Sequence, residues 1–66
     1  MNINKLKGLI VEREMSVDTL ADATGIGRAS LYRKINNPEK FTIGDAMKIK
    51  EALRMSDDVA NEIFLA

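Results

Sequence analysis

The sequence predicts an all-α fold, a compact bundle of five short helices, and three observations carry that expectation. Apolar residues recur at helical spacings through most of the 66 residues, and no segment alternates as a half-buried strand would. Apolar runs are introduced by small polar residues suited to cap a helix, namely Ser16, Thr42 and Ser56. Gly25 and the Asn36-Asn37-Pro38 run punctuate the pattern, while no long linker, repeat or low-complexity tract divides it. A single domain spanning residues 1–66 is expected.

The elements follow in order. Ile3, Leu6, Leu9 and Ile10 share one helical face, with Lys5, Lys7, Glu12 and Arg13 outside it, so the first helix runs from Asn2 or Asn4 to Arg13. Ser16 caps a second helix, Val17 to Thr24, by accepting from the amide of Thr19. Gly25 ends it, because the residue past a helix end often turns left-handed and only glycine does so without steric cost. Ile26 is an apolar hinge and Gly27 caps a third helix, Arg28 to about Ile35, anchored by Leu31 and Ile35 four apart. Residues 36–42 form a loop, since proline disfavours a helical residue before it. Thr42 caps a fourth helix with Asp45 in its first turn and a broad apolar stripe of Ile43, Ala46, Met47, Ile49 and Leu53. Ser56 caps a fifth, with Asp57 and Asp58 at its positive end and Val59, Ala60, Ile63 and Phe64 on its apolar side.

Composition narrows the function classes. The chain holds no cysteine and no histidine, which excludes a disulfide framework and a zinc site of the usual kind. Without a histidine or cysteine nucleophile, a glycine-rich phosphate loop or a recognisable carboxylate pair, catalysis has no support, and no cofactor is expected. No apolar run approaches the roughly 20 residues of a membrane span, and the N-terminus lacks a signal-peptide core, so a soluble, cytoplasmic chain is expected. Net charge is zero, yet residues 26–40 carry four cations against Glu39, net +3, and residues 57–66 carry three carboxylates, net −3. Charge is segregated along the chain, although a solvated surface of this size also shows such fluctuations.

Ser16 to Asn37 reads as two short helices joined by a tight glycine-containing turn, with cations concentrated on the second. The Leu20-Ala21 pair, the Gly25-Ile26 turn and the Leu31 anchor resemble the helix-turn-helix of the lambda-repressor and Cro-like phage and bacterial regulators. The likeness continues through Thr42-Ile43 and Ala52-Leu53 to Met55-Ser56, and covers roughly Asn4 to the end. Two positions depart from that family's pattern. Lys34 stands where an aliphatic residue usually packs on the first helix of the motif, so the last turn either rotates or buries Ile35. Lys50 replaces a small apolar residue, and its stem is expected to lie along the core with the ammonium in water.

The resemblance implies double-stranded DNA as the partner, with the helix at about 28–35 in the major groove. There an arginine fork can donate twice to a guanine edge, which makes Arg28 and Arg33 the candidate base readers, with Ala29 against a thymine methyl and Ser30 beside them. Either arginine is alternatively a solvated charge or a partner of Glu39 or Asp22. Ser16, Thr19, Tyr32, Lys34, Asn36, Asn37 and Lys40 are the candidate phosphate contacts. Ser16 is equally a cap and nothing more, and Tyr32 equally a cover for the core edge. Met15, Met47 and Met55 read as core filler.

The expected role is that of a small phage- or prophage-type transcriptional regulator, a repressor, binding a palindromic operator as a homodimer. Phe64 and Leu65, with Met55 or Phe41, are the candidate dimer surface; their alternative is to fold back on the first helix. A second class stays open: the same fold used for protein contact, as in an antirepressor or antitoxin-like partner. Neither a membrane nor a small-molecule ligand is expected as a partner.

Overall fold

The computed structural model describes residues 1–66. Five helices follow one another: α1 Ile3–Glu12, α2 Val17–Thr24, α3 Arg28–Asn36, α4 Ile43–Ala52 and α5 Asp57–Phe64, with a 3₁₀ turn at Pro38–Lys40 and no strand. The expected all-α bundle is therefore the observed fold, within 27 × 25 × 19 Å.

Four of the five helices begin on a residue whose side chain supplies the cap. Asn2 accepts from the Lys5 amide at 3.1 Å, and Ser56 from Val59 at 3.2 Å. Ser16 with Thr19, and Thr42 with Asp45, form reciprocal capping boxes that satisfy two otherwise free amides each. Gly27 alone caps without a side chain. Gly25 takes φ 75°, the left-handed geometry its position demands.

Two further helix ends use the same geometry without glycine. After α1 the amides of Met15 and Glu14 return to the carbonyls of Ile10 and Val11, and after α4 those of Met55 and Arg54 return to Lys50 and Glu51. These are paired Schellman closures, and they hold Glu14 at φ 57° and Arg54 at φ 54°. In both, a methionine and then the next capping serine follow, so each helix passes to its successor by the same short device. Arg13 ties the two ends together, its Nε donating to the Leu53 carbonyl at 2.9 Å.

One core of 13 buried apolar residues joins all the helices. Its fully enclosed members, Leu6, Leu20, Leu31, Ile49, Leu53 and Ile63, come from every helix or its cap. Burying each contributes about 1.5–3 kcal/mol relative to exposure. The chain termini close on each other over this core: the Asn2 amide donates to the Ile63 carbonyl at 2.7 Å and the Met1 ammonium to the Ala66 carbonyl at 2.9 Å. Lys5 and Glu62 pair beside them.

The expected stripe of α4 is too broad. Ile49 and Leu53 are buried and Ala46 half-buried, but Ile43 is 84% and Met47 66% exposed. At 100° per residue Ile43 and Met47 stand about 120° and 160° around the helix from Ile49, beyond the arc that α4 turns inward. Asp45 lies inside that arc and is buried. Met47 is thus not core filler, whereas Met55 is buried and Met15 half-buried. Lys50 is half-buried as expected, and its ammonium ends on Asp57.

Candidate nucleic-acid interface

The turn between α2 and α3 is held from within. Thr24 Oγ1 donates to the Leu20 carbonyl at 2.9 Å and accepts from the Ile26 amide at 3.3 Å, so one hydroxyl ends α2 and starts the turn. Ile26 then drops into the core. The threonine before Gly25 was the sequence signal for this bracket.

From that turn α3 emerges with Leu31 and Ile35 buried, and three lanes follow from 100° per residue. Ala29, Arg33 and Asn36 stand at about 160°, 200° and 140° from Leu31 and form the outward lane. All three are exposed. Arg28 and Tyr32 flank it on one side, and Ser30 and Lys34 on the other.

The first flank faces α2. Arg28 Nη2 lies 3.0 Å from Asp22 Oδ2, and its Nη1 3.8 Å from Asp18 Oδ2. The hydrogen bond to Asp22, reinforced by both charges, pushes the guanidinium pKa further above its already high value. The Asp18 carboxylate beside it likewise raises the Tyr32 phenol above its ordinary value. Tyr32 is 47% exposed, an edge residue of the surface and not a lid on the core.

The second flank faces α4. Lys34 Nζ donates to Asp45 Oδ2 at 2.6 Å, and the same oxygen accepts from the Thr42 amide at 3.0 Å. Burial opposes ionisation of Asp45, but these donors outweigh it and hold its carboxyl below the usual carboxylate range. The departure at Lys34 is thereby explained: Ile35 takes the core position, and the lysine spans to α4. Its ammonium, expected on phosphate, is engaged inside the protein.

The remaining candidates divide in the same way. Asn37 and Lys40 are exposed beyond the end of α3, and neither Arg33 nor Lys40 has a carboxylate partner. Ser16 and Thr19 are exposed at the head of α2, with their hydroxyls committed to the capping box. Phe41, Phe64 and Leu65 meet with Ile43 and Met47 around an open groove of about 550 Å³ beside the 3₁₀ turn. Phe41 and Phe64 are half-buried and Leu65 is 77% exposed. Met55 does not reach this surface, because the Schellman closure turns it inward to 7% exposure. Ile43 and Met47, expected in the core, line this groove instead, and nothing in the sequence distinguishes them from buried residues at the same helical spacing.

A helix held from behind by two aliphatic anchors, presented by a capped helix and a left-handed glycine turn, defines a helix-turn-helix domain. A family model for the Cro/C1-type HTH DNA-binding domain matches residues 5–56, and the chain belongs to that family. Membership agrees with the lambda-repressor and Cro-like resemblance of the sequence and carries double-stranded DNA binding and transcription regulation with it. No curated protein and no solved structure matches the chain.

Proposed function

We propose that the protein is a sequence-specific repressor of phage or prophage type, acting in the cytoplasm. It reads double-stranded DNA with α3 in the major groove. The observation that carries this reading is the outward lane Ala29, Arg33 and Asn36, with Arg28 at the helix start. It supplies a methyl group, two guanidinium forks and, from Asn36, which the sequence placed among the phosphate contacts, an amide, the groups that read base edges. Ser30 lies on the α4 side of that lane. Asn37 and Lys40, with the head of α2 at Ser16 and Thr19 and the phenol of Tyr32, fit phosphate on either side. Lys34 is assigned to the α3–α4 joint.

A nine-residue recognition helix spans only a few base pairs, too few to mark one site in a genome. A second copy of the chain on a palindromic operator supplies the missing information, with half-sites about 34–36 Å apart. The groove bounded by Phe41, Ile43, Met47, Phe64 and Leu65 suits that contact, since it adjoins the turn that leaves α3. Selection of bound duplexes from a random pool tests the reading. A palindromic consensus is the expected result; no selected sequence would favour the protein-contact role instead.

A further inference from the structure

Two of the four cations in residues 26–40 are engaged by carboxylates of the protein itself, Arg28 by Asp22 and Asp18 and Lys34 by Asp45. Only Arg33 and Lys40 of that set carry charge with no internal partner. The acidic residues beside Arg28 are unusual company for a DNA-facing surface, because a carboxylate near phosphate opposes binding. Asp18 and Asp22 are also four apart on α2, so they present both carboxylates along one side of the helix that faces Arg28.

Resting on the DNA-binding reading, we infer that Asp22, assisted by Asp18, is a specificity-determining residue that acts through Arg28. A guanidinium has five donor hydrogens in a rigid fork. Asp22 takes one through Nη2, and Asp18 lies close to Nη1, which leaves enough donors for a two-bond contact to a base edge. Held in this way, Arg28 loses little further side-chain freedom on meeting a base. It is also withheld from phosphate, where a free arginine would add charge to every sequence alike. The two effects act in the same direction: operator binding keeps its directed contact, and non-specific binding loses a cation. With net charge zero over the whole chain, that restraint is the means by which a weakly charged surface discriminates.

The test is a mutant cycle on Asp22 and Arg28, read as affinity for the selected duplex and for a random-sequence duplex over a salt series. Asp22→Asn frees the guanidinium while leaving an exposed, similarly shaped side chain. It should strengthen binding to random duplex, steepen its salt slope by about one, and lower operator discrimination by about three- to fivefold, the size of an exposed ion pair. Asp18→Asn should change discrimination in the same direction by less, and Asp22→Glu should restore part of it. In the Arg28→Ala background, Asp22→Asn should shift both duplexes equally, which separates action through Arg28 from a general loss of negative charge. Helicity and thermal midpoint should be unchanged. Discrimination that survives Asp22→Asn, or falls as far without Arg28, overturns this inference alone. If the wild-type chain selects no duplex, the DNA-binding reading falls and takes this inference with it.

Discussion

Lys34 Nζ and Asp45 Oδ2, 2.6 Å apart, join the last turn of α3 to the first turn of α4. Both are sheltered, with side chains 21% and 11% exposed, and the carboxylate is the same one that closes the α4 capping box. One buried anion therefore sets the start of α4 and the end of α3 together. Asp45→Asn should lower stability by about 1–3 kcal/mol, the range for a hydrogen bond to a charged group. Because its folded-state carboxyl titrates below the ordinary value, this contribution is present above about pH 4 and is lost as pH falls through the folded-state pKa. Denaturant midpoints measured from pH 7 to pH 2 should fall less steeply for Asp45→Asn than for wild type. Asp57, lowered by its hydrogen bond from Lys50, is exposed and adds little to that slope.

Lys34→Met keeps the stem and removes the ammonium. It should destabilise the chain yet leave the salt slope of DNA binding unchanged, since the charge is already spent on Asp45. A slope reduced by about one would place Lys34 on phosphate instead.

The proposed reading separates base readers from phosphate holders by position. Arg28→Ala should weaken operator binding by about 5- to 100-fold and relax one base pair per half-site. Lys40→Ala, in the loop beyond α3, should weaken all sequences alike and flatten the salt slope by about one. Competition titrations with single-base operator variants distinguish the two patterns; an operator affinity unchanged in Arg28→Ala would remove it from the readout.

The apolar groove can be tested without disturbing the core. Met47→Glu and Leu65→Asp change residues that are 66% and 77% exposed, so the fold should be retained. Each should abolish cooperative occupation of two half-sites while leaving single half-site binding within a few-fold. Sedimentation of the operator complex at chain concentrations below half-site saturation should give two chains for wild type and one for the variants.

Two substitutions probe the backbone. Glu14 sits at φ 57°, where a side chain is strained, so Glu14→Gly should leave stability unchanged or raise it by up to about 1 kcal/mol. Gly25→Ala puts a side chain at φ 75° and should cost about 1 kcal/mol, although a Cβ there meets no neighbour. Against these, Leu31→Ala removes a fully enclosed side chain and should cost about 2–5 kcal/mol, enough to unfold much of a small domain. Urea melts followed by circular dichroism check all three.

Much of the fold was legible in the sequence because its signals are local. Ser16, Thr42 and Ser56 cap amides three residues away, Gly25 needs only its own backbone conformation, and Leu31 with Ile35 announces a buried face within one turn. The residue types proposed to read DNA on α3 follow from that face by subtraction. What only the tertiary structure decided depends on how helices lie against one another. The pairings of Arg28 with Asp22 and of Lys34 with Asp45 cross between helices, and a list of charges does not say which will meet. Ile43 and Met47 read as core because apolar side chains on a helix have no inward direction until a neighbour covers one side. The packing of α4 against α2, with Asp45 turned inward, supplied that direction and left the two of them on the surface. Glu14 and Arg54 took left-handed backbone for a similar reason: packing Met15 against the core and Met55 within it demands the turn, and packing energy outweighs the preference for glycine.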